Sequence, residues 1–248
     1  MEIEYAKVSA VGDRQDNQDR AVVVVADNAV LMLVFDGMGG HSDGARAAET
    51  GLNVVQTMFA SIELPVFDPQ GFLYTAIAKA HDEVVSLGAS QAVDFRPRAT
   101  CAICLVQDGG SFWAHVGDSR IYHLRAGELL TRSRDHSHVE VLIQEVAISE
   151  EEARDHPMRN FVECCIGGDF PVPDMTIERR KPLIPGDVLL ACADGLWSGV
   201  TDREIATVAT QAEEPLAENL KALSLAALTN NAPYSDNTTG TALRWIGD

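Results

Sequence analysis

Short runs of Val, Ile, Leu and aromatic residues recur along the chain, and they constrain its fold more than any other feature. Each run is bounded by Gly, Asp or Asn, which is typical of β-strands that end in tight turns. Asp108-Gly109-Gly110 separates two of the runs as a hairpin turn would. The predicted strands cover residues 3–11, 21–26, 30–35, 100–107, 111–116, 120–125, 175–180, 187–192 and 239–246.

Helical patterns fall in separate blocks and do not alternate with the strands. Residues 42–62 follow a glycine-rich turn, and residues 71–87 carry apolar side chains at helical spacing. Ser149 and Glu152 form a capping-box pattern at the start of a short helix. Further helices are predicted at 139–146, 202–212 and 216–228. This organisation predicts an α+β fold with antiparallel sheets and helices on the outside.

The length of 248 residues fits a single layered domain, predicted to span 1–248. A formal net charge of −18 argues against a nucleic-acid partner, whose phosphates would be repelled. No stretch approaches about 18 uncharged apolar residues, so no membrane association is expected. The first residues lack the basic and apolar regions of a signal peptide, and we expect a cytoplasmic protein.

Five cysteines are present, and Cys101 and Cys104 have the spacing of a zinc or redox motif. The chain has no second pair with this spacing. A strand would also point residues three apart to opposite faces, which separates the two thiols. We therefore predict buried free thiols and no metal or disulfide site at the cysteines.

A repeated carboxylate pattern carries the functional information. An apolar run is followed by an aspartate and a turn residue at Asp36, Asp118 and Asp194, and Asp236 precedes the last predicted strand. One such case is usually only a turn. Four cases, with Asp19 before the second strand, predict carboxylates gathered at one rim of the sheets, where divalent cations would offset their repulsion.

Oxygen ligands alone favour Mg²⁺ or Mn²⁺ over zinc. Two such ions can lower the pKa of a bridging water and hold a phosphoryl group for in-line attack. The glycine-rich stretch at 36–41 is not a phosphate-binding P-loop, because no Lys-Ser or Lys-Thr pair follows it. Gly37 allows its backbone carbonyl to approach a metal closely.

Eight motifs together give the chain a family resemblance over nearly its whole length. They are Arg14-x-x-Asn17-Gln18-Asp19, Phe35-Asp36-Gly37-Met38-Gly39-Gly40-His41, Val116-Gly117-Asp118-Ser119-Arg120, Asp135-His136-Ser137, His156-Pro157-x-Arg159-Asn160, Gly167-Gly168-Asp169, Asp194-Gly195-Leu196 and Asp236-Asn237-x-Thr239. In this order they resemble the PPM-type (type 2C) metal-dependent Ser/Thr protein phosphatases, bacterial branch. The resemblance implies a central antiparallel β-sandwich flanked by pairs of α-helices, a four-layer αββα fold.

The resemblance also implies a metal-binding role for most of the acidic residues. Asp36, Asp194 and Asp236 would bind the first metal, and Asp36 with the Gly37 carbonyl would bind the second. Asp19 would act directly or through a bound water. By this resemblance Asp36, Asp194 and Asp236, together with Arg14, are the catalytic residues.

Two further parts of the site follow from the resemblance. Arg14 would clamp the substrate phosphate, for which a planar guanidinium is suited. Asp118, sharing Asp194, would bind a third and weaker ion, which Asn160 would also contact from a flap at 135–168. A hydroxide that bridges the first two metals would then attack phosphoserine or phosphothreonine directly.

The chain departs from the family pattern at two positions. Gln18 stands where many members have Glu, which leaves one fewer negative charge near the second metal. Met38 stands where animal-type members carry the His proposed as general acid. His41 is the candidate substitute, and the alternative is that it makes a structural hydrogen bond in its loop.

The predicted function is therefore a metal-dependent phosphatase that removes phosphate from Ser and Thr of phosphorylated proteins. A Ser/Thr kinase is the opposing partner that the resemblance implies, and a monomer is expected. Two alternatives stay open: a non-catalytic phosphoprotein-binding regulatory member of the same fold, and a two-metal hydrolase of nucleotides or nucleic acid. The complete aspartate set argues against the first, and the charge of −18 argues against the second.

Overall fold

Strands and helices follow one another in the block order that the sequence predicts. The computed structural model describes residues 1–38, 42–154, 156–180 and 182–247. The strands are β1 (Glu2–Ala10), β2 (Arg20–Val25), β3 (Ala29–Met38), β4 (Arg98–Gln107), β5 (Gly110–Val116), β6 (Arg120–Arg125), β7 (Glu128–Arg132), β8 (Ile166–Gly167), β9 (Thr176–Arg179), β10 (Val188–Cys192) and β11 (Thr238–Gly247). The helices are α1 (Ser42–Ser61), α2 (Pro69–Leu87), α3 (His138–Gln144), α4 (Glu150–Arg154), α5 (Asp194–Trp197), α6 (Asp202–Ala209) and α7 (Leu216–Asn231).

The described strands form two antiparallel sheets. The first sheet has the order β1-β11-β10-β6-β7, and the second has the order β2-β3-β4-β5-β9. The two-residue strand β8 pairs with the start of β4. β1 and β11 pair along their whole length, so segments from the two halves of the chain lie side by side.

β3 is buried along residues 29–35 because both of its faces are covered. Leu31 and Leu33 pack among the side chains of α1 and α2, while Met32 and Val34 pack against the first sheet. A strand covered on both faces is continuously apolar, since neither face has to meet water.

The helices cover the outer faces of the two sheets. α1 and α2 pack on the second sheet, and α6 and α7 pack on the first through Ile205, Leu220 and Leu223. A third apolar cluster fills the space between the sheets. The layers are therefore helix, sheet, sheet and helix, which confirms the predicted α+β sandwich.

Reciprocal capping fixes the start of two helices. Ser149 Oγ accepts a hydrogen bond from Glu152 N (3.2 Å), and Glu152 Oε2 accepts one from Ser149 N (2.8 Å), which confirms the predicted capping box. Thr201 and Glu204 make the same pair of contacts at the start of α6. Each capping box satisfies backbone amides that the first helical turn leaves unpaired.

The end of β3 differs from the prediction. The strand continues past Phe35 to Met38, so Asp36 lies within the sheet, opposite Thr100 of β4. The expectation that the strand ends at Phe35, with Asp36 directly after it and Gly37 as the turn residue, is therefore wrong. Backbone pairing with β4 extends the strand through polar residues that an apolar pattern cannot mark.

Three short elements were not predicted: β7, β8 and α5. The turn before β7 has positive φ at Ala126 (49°) and Gly127 (83°), but it lacks the Asn or Asp that normally marks such a hairpin. α6 ends at Ala209, earlier than expected, and α7 continues to Asn231. Within the ranges given above, no helix combines the length and apolar character needed to cross a bilayer.

The cysteines of β4 lie on opposite faces, as predicted. Cys101 packs in the cluster beneath α1 and α2, and Cys104 packs between the sheets. Burial raises the pKa of the Cys101 thiol to about 12 and raises that of Cys104 further. Both thiols are therefore protonated and unreactive at neutral pH.

Candidate active site

Aspartates from both sheets meet at one end of the sandwich. Asp36 lies in β3, and Asp19 directly precedes β2 of the same sheet. Asp194 begins α5, and Asp236 lies just before β11 on the other sheet. The structure thus brings together the acidic residues that the sequence places at separate strand ends.

Burial and mutual repulsion dominate the electrostatics of this cluster. Burial raises the pKa of Asp36 well above its ordinary value of 3.8, and the charges of Asp19 and Asp194 raise it further. Burial raises the pKa of Asp19 to about 8. It raises the pKa of Asp194 to about 6, with Asp236 adding to the increase. Asp36 also lies within hydrogen-bonding reach of both Asp19 and Asp194, so the protonation of each carboxyl depends on its neighbours.

The donor set fits hard divalent cations. Asp19 Oδ2 is buried and has no hydrogen-bond partner among the described residues. All of the clustered side chains offer oxygen, the ligand that Mg²⁺ and Mn²⁺ prefer. In the described ranges, no three His, Cys, Asp or Glu side chains already converge on a single point as a complete metal site.

Arg14 lies against the exposed side of the cluster. Its Nη2 donates to Asp236 Oδ2 at 2.6 Å, and its side chain is 59% exposed. Asp236 raises the pKa of Arg14 through this hydrogen bond and through its charge. A half-exposed guanidinium at the rim can meet an incoming phosphate from solvent.

Asn237 connects the segment that carries Arg14 and Asp19 to the start of β11. Its Oδ1 accepts from Gln18 N (2.8 Å), and its Nδ2 donates to the carbonyls of Val11 (2.8 Å) and Asp16 (3.0 Å). One amide side chain therefore satisfies three backbone groups of the loop between β1 and β2. This fixes the loop beside Asp236.

Close backbone packing requires glycine at Gly37. A Cβ atom there would clash with the carbonyl oxygen of Gly44 in α1 and lie 2.8 Å from that of Gln18. A Cβ on Gly44 would in turn lie 2.9 Å from the Gly37 carbonyl oxygen. The end of β3, the start of α1 and the segment before β2 therefore approach one another at the acidic cluster.

Asp118 lies in the turn between β5 and β6 and is buried. Burial raises the pKa of its carboxyl well above 3.8, and Asp194 and Asp135 raise it further. The Trp197 indole N–H donates to the Asp118 carbonyl oxygen at 3.0 Å. Because Trp197 ends the helix that Asp194 begins, this bond joins the Asp118 turn to the acidic cluster.

Arg120 completes this connection. Its guanidinium carbon lies 3.4 Å from the centre of the Trp197 ring. Its Nε and Nη2 donate to the two carboxylate oxygens of Asp135, at 2.8 and 2.7 Å. Asp135 begins the predicted flap. We call Asp118, Arg120, Asp135 and Trp197 the brace; it is a bidentate ion pair stacked on an indole, with little exposure of either charge.

His136 anchors the start of the flap. Its backbone N–H donates to the Gly117 carbonyl (2.8 Å), and the Gly117 N–H donates to His136 Nδ1 (3.3 Å). Its Nε2 lies 2.9 Å from Thr176 Oγ1. Burial, together with the charge of the stacked His115, lowers the pKa of His136 to about 4. The imidazole is therefore neutral at physiological pH and serves as a fixed acceptor.

Three further positions that the sequence singled out are Asn160, Met38 and His41. Asn160 is exposed in the turn at 157–160, and within the described parts of the chain no hydrogen bond joins its side chain to Asp118. Met38 is the last residue of β3. His41, the candidate general acid, lies outside the described residues.

A groove of about 1120 Å³ lies at the end of β4 that is remote from the acidic cluster. Phe67, Phe72 and Phe112 contribute to its lining, together with Gln107 at the end of that strand. None of the predicted site residues lines it. The volume of a cavity therefore does not identify the candidate active site, whereas the cluster of buried carboxyls with shifted pKa values does.

Comparison with known proteins assigns the family. Residues 8–229 match the family model described as protein phosphatase 2C. The chain belongs to the protein phosphatase 2C family. The serine/threonine phosphatase stp of Listeria monocytogenes is 30% identical to this family member over 196 residues, 77% of each sequence.

Solved structures of phosphatases match the fold of this protein phosphatase 2C chain. Stp1 from Staphylococcus aureus gives a TM-score of 0.88 at 28% identity, covering 100% of this chain and 96% of that one. The catalytic domain of PstP, in a crystal structure with two manganese ions, gives 0.81 at 27% identity, covering 99% of both. The family predicted from the sequence motifs is confirmed.

Several residues that organise this protein phosphatase 2C site were not predicted to do so. Asn237, Arg120 and Asp135 belong to motifs that carry the resemblance, but the sequence pattern gave them no role of their own. Trp197 directly follows the Asp194-Gly195-Leu196 motif. The indole of Trp197 and the guanidinium of Arg120 stand beside predicted metal-binding motifs. Such side chains need partners when they are buried, so their positions in the sequence indicate a structural contact near the site.

Proposed function

We propose that this chain is a metal-dependent protein phosphatase that hydrolyses phosphoserine and phosphothreonine in proteins. Membership of the protein phosphatase 2C family supports this activity. The observation that carries the proposal is the buried carboxylate cluster beside a half-exposed arginine. The carboxylates offer ligands for cations, and the arginine beside them offers hydrogen-bond donors for a phosphate group.

Asp36, Asp194 and Asp236 would hold the first Mn²⁺ or Mg²⁺, and Asp36 with the Gly37 carbonyl would hold the second. Asp19 would support them directly or through water. The buried, unpartnered Asp19 Oδ2 supports this assignment, because it is an oxygen free to accept a ligand bond. The raised pKa values of Asp36 and Asp194 also support it, because they reflect burial and repulsion between carboxylates, which a bound cation relieves. Bound ions supply Lewis acidity, which lowers the pKa of a water nucleophile and offsets the charge of the phosphoryl group.

The chain itself supplies the binding and orientation of the substrate. Arg14 binds two phosphate oxygens through its planar guanidinium. The bonds from Asn237 to Val11, Asp16 and Gln18 hold the Arg14 segment against Asp236. The phosphate is thus held above the carboxylate cluster in a fixed orientation.

A third, weaker ion would bind at Asp118, with Asp194 shared. Asn160 would reach that ion by movement of the flap at 135–168, since Asn160 is exposed in this structure. His41 stays the candidate general acid. The brace supports a third site, because it fixes the backbone of Asp118 relative to the helix that Asp194 begins.

The substrates would be phosphorylated proteins, including a Ser/Thr kinase and its targets. We further propose that the chain acts in the cytoplasm as a monomer, with one catalytic domain across 1–248. Its charge of −18 disfavours nucleic acid as a partner. Buried thiols such as Cys101 and Cys104 are compatible with a reducing compartment.

The test is release of phosphate from a phosphothreonine peptide by the purified chain with Mn²⁺. We expect activity that EDTA abolishes and that Asp236→Asn lowers more than roughly a hundredfold, since a lost ligand affects both metal and nucleophile. Asp27→Asn is the matched control, because Asp27 is exposed in the loop between β2 and β3. It should retain full activity.

Absence of hydrolysis by folded, Mn²⁺-loaded protein would refute the proposal. Binding of the phosphopeptide without hydrolysis would instead support the non-catalytic alternative. Calorimetry with the same peptide separates these two outcomes. Circular dichroism of each variant shows whether a loss of activity is a loss of fold.

A further inference from the structure

A second cavity lies directly beside Arg14, outside the predicted metal site. Its volume is about 300 Å³, and it is lined by Asp13, Arg14, Pro233, Tyr234 and Ser235. Arg14 is the only one of these residues with a predicted role. The cavity is therefore next to the position expected for the substrate phosphate.

The walls of this cavity are fixed to one another. Asp13 N donates to both the carbonyl oxygen and the Oγ of Ser235, each at 3.0 Å. Asp13 Oδ2 accepts from Ser235 N (3.0 Å) and from Ser235 Oγ (2.7 Å). These four hydrogen bonds join the loop after β1 to the loop before β11. A preformed wall costs less ordering when a ligand binds.

Tyr234 and Asp13 define the chemistry of the cavity. Tyr234 is 87% exposed, so its ring faces are available to a ligand. Asp13 contributes a carboxylate that is ionised at neutral pH. An aromatic face next to a carboxylate favours a guanidinium or an ammonium, through cation–π attraction and charge pairing.

The location relative to Arg14 sets which part of a substrate reaches the cavity. Once the substrate phosphate neutralises Arg14, the remaining charge on the lining is that of Asp13. An extended peptide advances about 3.3 Å per residue, so a side chain close to the phosphorylated residue can reach a cavity adjoining Arg14. The chain's overall charge of −18 also favours a basic peptide over an acidic one.

We propose that this cavity is a specificity subsite for an arginine or lysine that flanks the phosphorylated residue of the substrate. The proposal rests on the proposed phosphatase function. Tyr234 supplies the ring surface and Asp13 supplies the counter-charge. The subsite selects among phosphoproteins and does not take part in the chemical step.

The test compares phosphothreonine peptides that carry Arg, Ala or Glu at successive positions on either side of the phosphothreonine. At one or more positions we expect kcat/KM to be highest with Arg and lowest with Glu, with Arg exceeding Ala roughly fivefold, mainly through KM. The readout for each variant is the Arg-to-Ala ratio of kcat/KM. This ratio cancels any change that affects both peptides equally.

Three variants test the assignment. Tyr234→Leu removes the ring and should bring the ratio close to one, whereas Tyr234→Phe keeps the ring and should preserve the ratio. Asp13→Asn keeps acceptors for Ser235 but loses the charge, and it should lower the ratio. Tyr74→Leu is the matched control, because Tyr74 is an exposed tyrosine on α2; it should leave the ratio unchanged.

Equal kcat/KM for Arg and Ala peptides at every position would overturn the subsite while leaving the phosphatase function intact. A ratio that survives Tyr234→Leu would also overturn it. Failure to hydrolyse any peptide would count against the phosphatase function instead. In that case the Arg and Ala peptides are compared by calorimetry, and equal affinities would reject the subsite as well.

Discussion

At the scale of single residues, the carboxylate of Asp236 serves two neighbours. Oδ2 accepts from Arg14, and Oδ1 accepts from the backbone N–H of Asn237 at 2.8 Å. The side chains of Arg14 and Asp236 are 59% and 37% exposed. An ion pair this exposed contributes about 0–1 kcal/mol. Arg14 can therefore leave Asp236 for a phosphate at little cost in free energy.

The buried carboxyls predict how stability responds to pH when no metal is bound. The pKa values of Asp194 and Asp19 are raised from 3.8 to about 6 and about 8. The folded chain therefore holds protons that the unfolded chain has released, so this contribution to stability falls as pH rises towards 8. We expect the Tm in EDTA to decrease between about pH 6 and pH 8.

Mn²⁺ should raise the Tm and flatten this pH dependence, because the cations offset the carboxylate charges. Asp19→Asn should raise the Tm in EDTA at pH 8 and reduce the stabilisation by Mn²⁺. Asp27→Asn should do neither, since Asp27 is exposed. Scanning fluorimetry across this pH range measures all three. A metal-free Tm that rises steadily to pH 8 in wild-type protein would contradict the prediction.

At the scale of elements, the brace links three parts of the chain. α5 contributes Trp197, the β5–β6 region contributes Asp118 and Arg120, and the start of the flap contributes Asp135. A shift in any one of them changes the surroundings of Asp118. The proposed third-metal position is therefore coupled to the flap through direct contacts.

Trp197→Phe tests the brace, because it keeps an aromatic ring under Arg120 and removes the donor to the Asp118 carbonyl. A buried acceptor that loses its donor costs about 1–3 kcal/mol. We expect weaker binding of the last Mn²⁺ equivalent in calorimetry or in paramagnetic resonance titration. Trp245→Phe is the control, as Trp245 is buried between the sheets. Identical Mn²⁺ isotherms for the two variants would rule out a positioning role for Trp197.

Elements with strong side-chain patterns could be predicted from the sequence, and elements set by tertiary pairing could not. β3 and β4 were recognised because their apolar runs reflect burial on both faces. The apolar pattern predicts that Asp36 follows its strand, because only pairing with Thr100 shows that the strand continues. β7 was missed because the Ala126-Gly127 turn carries no Asn or Asp.

The candidate site shows the same division. Aspartates after apolar runs predicted a shared rim, and the structure brings Asp19, Asp36, Asp194 and Asp236 together there. The bonds of Asn237 and Trp197 reach residues more than 70 positions away in the chain, so spacing along the sequence could not reveal them. Asn160 was expected near the third ion, and its assignment stays a prediction.

At the scale of the whole molecule, the flap is tied to the sandwich at both ends. Asp135 and His136 anchor its start, and β8 pairs with Arg98 and Ala99 of β4 at its end. The bridge between Ser137 and Val162 holds the two sides together. Residues 145–158, between these anchors, can therefore be altered without removing the anchors themselves.

Replacing residues 145–158 with a short Gly/Ser linker tests the role of the flap. We expect kcat/KM for a phosphorylated protein to fall several-fold more than that for p-nitrophenyl phosphate, since only the larger substrate reaches the flap. Linkers of two lengths control for strain at the junction. An equal decrease for both substrates would show that the flap supports the site itself and not substrate access.

The pairing of β1 with β11 determines where a label or tether can be joined to the protein without approaching the candidate active site. Glu2 lies opposite Gly247, while Ala10 lies opposite Thr238, next to the loops that carry Arg14 and Asp236. The eight residue-to-residue steps from Glu2 to Ala10 separate the two ends of the strand by roughly 26 Å. A tether, fluorescent reporter or solid support joined at either Glu2 or Gly247 therefore lies a full strand length away from where phosphate is expected to bind.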